Sequence, residues 1–207
     1  MLVVRIFNTQ VYNLDRAVKA SKYPTNLKAG IPSCDLDITE SDFNRAEKLA
    51  HAPAGSGHDN FLSGILVSFD IVFPQYWLAE FQRYHFVQIV SSQSTMHSLT
   101  SLADKSIDEF SKYFNKYTEP AIIRYIFDLL QDYKKIPEKD TEARYKMFMK
   151  IRSNLPSGFE MTMHVVTNYL QLKTIYFQRK DHKLKEDWGS FTDWIITLPR
   201  FYELVLD

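Results

Sequence analysis

Two arginines and an asparagine stand at spacings that suit an anion. Arg152 opens an Arg-x-x-Leu-Pro turn with Leu155 and Pro156, Asn168 follows sixteen residues later, and Arg179 eleven after that. A guanidinium offers a fork of donors that matches two phosphate oxygens at once. The periodicity predicts one long helix over 161–179. Eleven residues are almost three turns, so Asn168 and Arg179 would point to nearly the same side. At 1.5 Å per residue they would stand roughly 16 Å apart, about the length of an extended nucleotide. The face between them is rich in Met, Val, Leu, Ile and Tyr, so a cation there snorkels outward or meets an anion. The plainer alternative is a pair of surface arginines, one of them at a helix end that favours a cation. On either reading, removing Arg179 is expected to change apo stability by no more than about ±0.5 kcal/mol, and on the phosphate-clamp reading it would also abolish most of the stabilisation by a pyrimidine monophosphate.

Other groups could join such a site. Ser94 lies in VSSQSTMHS, residues 90–98, where small hydroxyl residues on a turn let donors approach a phosphate. The same cluster is equally a solvated polar turn. No adjacent base marks Ser94 as a covalent nucleophile. His85 suits a ligand contact or a hydrogen-bonded core position. His58, in a Gly-rich loop, suits a ligand or solvent. His51, His58, His85 and His97 lack metal-ligand spacing, so no metal site is expected.

These residues resemble those of the flavin-dependent thymidylate synthases. That family has an Arg-x-x-Leu-Pro turn, an Asn sixteen residues after its Arg, and a helix ending in Leu-Arg before an Asp/His-containing turn. Arg152, Asn168, Arg179, Asp181 and His182 are the corresponding residues here. Its second signature is Arg-His-Arg, a Ser, then Asn-Glu-x-Ser-x-Arg. Residues 84–96 keep His85 and Ser94, while Tyr84, Phe86, Ile89, Ser91, Ser92 and Met96 replace the rest. In residues 55–71, His58 matches a first family His and Gly64 replaces a second, flavin-binding one. The resemblance spans most of 55–190. It implies an α+β fold, a small antiparallel sheet packed with several helices, and a homotetramer with sites at subunit junctions. The implied chemistry methylates C5 of a pyrimidine nucleotide such as dUMP, with FAD as hydride carrier and methylenetetrahydrofolate as carbon source. Ser94, Arg152 and Arg179 would hold the nucleotide. His85, Asn168, His58 and His182 would serve the cofactor, although His182 sits one position short of the family's histidine. Each charged group replaced in the signature weakens ligand binding by about 1.5–3 kcal/mol. The expectation is therefore a divergent enzyme with weak or absent dUMP methylation, of a kind a phage could carry. A non-catalytic protein that binds or sequesters a nucleotide is the alternative, and an unrelated interaction protein a third.

The elements expected to position these groups are strands at 2–7, 62–73 and 86–91, and helices at 14–22, 42–51, 101–114, 120–133, 141–152, 161–179 and 185–204. Pro74 would occupy the first helical position of a segment running to Phe86. Residues 23–36 are expected to loop. Thr39 or Ser41 would cap the helix at 42–51. Strands early and helices late predict α+β.

The chain of 207 residues suits a single domain over 1–207, and 45% hydrophobic residues supply a core. Twenty-five basic residues balance twenty-five acidic ones. Broad attraction to a nucleic-acid polymer or an anionic membrane is therefore not expected. The single Cys34 excludes an intrachain disulfide and suits a reducing compartment. No signal peptide or membrane-length apolar run is apparent, so a cytoplasmic protein is expected.

Overall fold

The computed structural model describes residues 4–25, 37–53 and 55–206. Cys34 and most of the expected loop at 23–36 lie outside them, and so does the start of the strand at 2–7. Strand β1 covers Arg5–Tyr12. Helix α1 follows at Leu14–Ala20 and α2 at Glu40–Ala50. Then come β2 at Leu66–Pro74, α3 at Gln75–Phe81, β3 at Gln88–Ser92 and the single turn α4 at Thr95–Ser98. Helices α5 (Ile107–Ser111), α6 (Pro120–Lys135) and α7 (Thr141–Asn154) lead into β4 at Glu160–Asn168. Helices α8 (Tyr169–Arg179), α9 (Lys185–Ile195) and α10 (Phe201–Val205) close the chain.

The sheet is antiparallel, in the order β1-β2-β4-β3. Alternation decides its faces, because successive strand residues point to opposite sides. Val67, Phe69, Ile71 and Phe73 are fully buried, and the residues between them face the other way. On β4, Met163, Val165 and Thr167 face the core. Phe69 packs on Phe191 and Trp194 of α9, and Trp77 stacks on Phe81 and packs at a tilt on Trp188. A second core joins Phe110, Phe114, Ile126, Leu130, Ile151 and Phe159 across α5, α6, α7 and the start of β4. The architecture is α+β, as expected.

Several boundaries correct the sequence-based expectation. The helix expected over 161–179 is a strand, β4, followed by a shorter helix, α8. Thr162, Val165, Val166 and Thr167 are β-branched and stiff at χ1, which favours the pleated strand. Their burial alternates with period two rather than 3.6. Asn168 is the N-cap of α8 rather than a helix-face residue, and its Oδ1 accepts the Gln171 N–H at 2.9 Å. Pro74 ends β2 as the N-cap of α3, and α3 stops at Phe81. Leu62 belongs to a 3₁₀ turn at His58–Gly64, so β2 begins only at Leu66. The stretch 101–114 holds a 3₁₀ turn, Thr100–Asp104, and the short α5. The helix expected at 185–204 is broken into α9 and α10, because Pro199 cannot continue a helix.

Thr39 caps α2 as expected. Its backbone N–H donates to Asp42 Oδ2 at 3.1 Å, and Arg45 and Lys19 approach the same carboxylate at 2.9 and 3.2 Å. Burial alone would raise the Asp42 pKa. The bonds from Arg45, Thr39 and Lys19 outweigh it and hold the group well below its ordinary 3.8. A depressed folded pKa gives stability that is present above 3.8 and is lost as pH falls below it. Asp42→Asn is expected to flatten that acid limb in urea titrations between pH 7 and pH 2. Parallel wild-type and variant curves would show that Asp42 carries none of it.

Candidate functional site

A cleft of about 930 Å³ runs along α8 and is closed by the turn after α3 and by residues near the end of α2. Ligand clefts typically measure roughly 300–1,000 Å³. Phe86 and Phe177 stand at it with 70% and 50% of their surface exposed. Arg83 and His85 are exposed beside them. Among the described residues Arg83 has no side-chain hydrogen bond or ion pair. Lys173 is tied down by Asp59 at 2.8 Å and by the Ala50 carbonyl at 2.6 Å. Two bonds fasten the turn that presents Phe86. Its N–H donates to Gln171 Oε1 at 3.2 Å, and its carbonyl accepts the Thr167 hydroxyl at 2.8 Å.

Arg179 closes one end of the cleft, and its guanidinium is already engaged. Nε donates to the Tyr84 hydroxyl at 2.6 Å and a terminal nitrogen to Glu80 Oε2 at 2.8 Å. The guanidinium lies 4.4 Å over the Trp188 ring. Glu80 also accepts the Trp188 indole N–H at 3.0 Å, and His182 Nε2 stands 3.4 Å from it. Only 14% of the Arg179 side chain is exposed. Helix α8 ends at Arg179, so His182 lies beyond it, and His182 Nδ1 accepts the Leu184 N–H at 3.2 Å.

The other sequence candidates lie elsewhere in the chain. Ser94 caps α4 and accepts the Met96 N–H at 3.2 Å. Arg152 points a terminal nitrogen at the Met96 sulfur, 2.6 Å away. Ser94 and Arg152 thus share one locality, where Gln93 joins the Thr162 carbonyl near the start of β4. Arg179, His85 and Asn168 belong to the opposite end of the β3–β4 ladder. His58 is exposed and lines a different hollow of about 600 Å³ with Arg16, Arg45 and Phe61. The structure therefore gathers His85, Arg179 and, through Glu80, His182. It brings Ser94 and Arg152 to a shared neighbour, Met96, and leaves His58 apart.

Glu80, Tyr84, Trp188 and Arg83 escaped the sequence reading as site residues. Glu80 and Tyr84 sit 99 and 95 residues from Arg179, and no local spacing marks such a partner. Among the described residues, no group of three or more His, Cys, Asp or Glu side chains is placed to hold a metal ion. No helix there is long and apolar enough to cross a membrane.

No family model matches the chain, and no curated protein matches it. Solved structures do. The flavin-dependent thymidylate synthase ThyX from Helicobacter pylori, complexed with FAD and dUMP, superposes with a TM-score of 0.72 at 14% identity, covering 98% of each chain. A second structure of the Helicobacter pylori enzyme with FAD and dUMP gives 0.69 at 14% identity, covering 100% of this chain and 98% of that one. At that identity the likeness establishes a shared fold.

Proposed function

We propose that this chain is a divergent relative of the flavin-dependent thymidylate synthases that binds FAD and a pyrimidine nucleotide such as dUMP, and methylates the pyrimidine at C5. One observation carries the reading. The α8 cleft sets two exposed aromatic rings, Phe86 and Phe177, beside Arg83, whose guanidinium is unpaired among the described residues. Ring faces stack on bases or flavins, and a guanidinium binds phosphate oxygens. That donor set fits FAD in kind: Arg83 and His85 for the phosphates, Phe86 and Phe177 for the rings. When bound, FAD supplies hydride transfer, and the protein supplies placement and charge. Tyr84 stands where the family signature has its first arginine, and its hydroxyl accepts from Arg179.

Ser94 and Arg152 stand at the other end of the ladder from Arg179. A nucleotide site using all three needs a second copy of the chain, in keeping with a homotetramer that has junctional sites. A cytoplasmic protein suits nucleotide substrates.

A second reading, a non-catalytic nucleotide binder, has its own support. Both guanidinium groups of the expected phosphate clamp face protein atoms, Arg179 meeting Glu80 and Arg152 meeting Met96. FAD titration followed by flavin absorbance and fluorescence separates the readings. Saturable FAD binding is expected, weakened at least tenfold, about 1.4 kcal/mol, by Arg83→Glu. Slow dUMP-dependent tritium release should accompany it. A protein that shows dUMP-induced thermal stabilisation but no FAD binding is the non-catalytic binder. One that responds to neither ligand refutes both readings.

A further inference from the structure

The face of the sheet turned away from the core carries a separate constellation. On β2, Ser68 and Asp70 lie on this face, and β4 places His164 directly opposite Asp70. His164 Nδ1 lies 2.7 Å from Asp70 Oδ1, and its Nε2 lies 3.2 Å from Ser68 Oγ. The second Asp70 oxygen accepts Asn8 Nδ2 at 2.6 Å. Asn8 reaches it from a bulge in β1, held at a φ of 52°. The bond from Asn8, then that from His164, hold the Asp70 carboxyl below its ordinary range. An ionised Asp70 keeps the proton on Nδ1, and that tautomer leaves Nε2 to accept the Ser68 hydroxyl. Nucleophile, base and orienting carboxylate are thus within hydrogen-bond reach in sequence.

The surroundings suit a substrate. The His164 and Asp70 side chains are 39% and 31% exposed. Gln10 sits opposite Ser68 on β1. The Tyr12 hydroxyl occupies its Oε1, which leaves Nε2 as a donor for a developing oxyanion. Leu66 precedes Ser68 by two on the same face, and Val166 pairs with Ser68 across β4, so apolar surface flanks the hydroxyl.

We propose that Ser68, activated by His164 and oriented through Asp70, is the nucleophile of an esterase site for carboxylic esters with short apolar acyl groups. Ser68 Oγ bonds to the acyl carbon while its proton passes to His164 Nε2. The ester C–O bond breaks, and the alcohol leaves with that proton. Water then attacks the acyl-serine, gives a proton to Nε2, and releases the acid as Ser68 Oγ regains it. One ester and one water become one acid and one alcohol. No redox partner is needed, and the site shares no residue with the α8 cleft.

The test uses the full chain. A fluorophosphonate probe is expected to label Ser68 in the wild type, located by peptide mass spectrometry, in preference to the exposed Ser91 and Ser92. Hydrolysis of p-nitrophenyl butyrate should fall by at least 10²-fold in Ser68→Ala and by about 10²–10⁴-fold in His164→Gln, the range of general-base catalysis. Labelling no greater at Ser68 than at Ser91, or an unchanged rate in Ser68→Ala, would overturn the proposal. The trio would then serve only to tie β2 to β4. The labelling result needs no variant, so a folding defect in Ser68→Ala cannot mask it.

Discussion

Arg179→Ala is expected to lower the apo melting temperature by about 4–12 °C. The side chain is 14% exposed and forms a charged bond to Glu80, a bond to Tyr84 and a stack on Trp188. Truncation leaves the Glu80 carboxylate with the Trp188 indole and His182 alone. Losing a charge-assisted bond with its partner left behind costs about 2–3 kcal/mol, discounted from the fully buried case because Glu80 keeps 31% exposure. A chain of this size shifts by about 2–4 °C per kcal/mol. Arg179→Lys should recover only part of the loss, since an ammonium cannot reproduce the planar fork or the stack. Calorimetry of the three proteins decides. A shift under about 1 °C would return Arg179 to the class of ordinary surface arginines at helix ends. If its guanidinium also binds phosphate, Glu80→Gln should strengthen binding of a pyrimidine monophosphate, because a competing anion is removed.

Gly158→Ala is expected to cost still more, about 3–4 kcal/mol. A Cβ at Gly158 would stand 2.9 Å from Asn115 Oδ1 and closer still to the Thr118 hydroxyl. Neither neighbour is free to swing. Asn115 is buried, its Oδ1 accepts from Tyr117 N–H at 3.2 Å and from Thr118 Oγ1 at 3.0 Å, and its own N–H donates to the Gly158 carbonyl at 3.0 Å. Overpacking costs about 1–3 kcal/mol, and each bond broken adds roughly 0.5–1.5 kcal/mol. The strain falls where the second core meets the sheet, at the Phe114–Phe159 bridge. A fall in melting temperature of about 6–16 °C should follow. A variant that melts with the wild type would show that Asn115 yields at little cost.

The outlines of α2, β2 and α6 were legible because each carries a local signal. Thr39 with acidic Asp42 in the first turn marks a helix start, the β-branched and aromatic run from Leu62 to Phe73 marks a strand, and Pro120 opens a helix. Strand β4 was not legible, because apolar and partly buried residues occupy both of its faces and imitate a helix stripe. The site divided the same way. Ser94 and Arg152 both touch Met96 without touching each other in any described bond, and Asn168 governs the entry to α8 as a cap. The pairing of Arg179 with Glu80 depends on tertiary placement alone. The Ser68–His164–Asp70 trio was hidden by the same misjudged strand, since a helix at 161–179 keeps His164 from facing β2.

The sheet order governs what a ribosome exposes. Strand β3 pairs with β4 and not with β2, although β2 and β3 are close in the chain. Both wait for β4, whose last residue is synthesised 76 residues after β3 ends. At about 5–20 residues per second that interval is roughly 4–15 s. Throughout it, the edge of β2 that later pairs with β4 has no partner strand, and such edges recruit other chains. Newly made protein should therefore depend on holdase chaperones during those seconds. Refolding from denaturant should lose yield steeply with concentration, while the finished molecule, its β2 paired on both sides, does not.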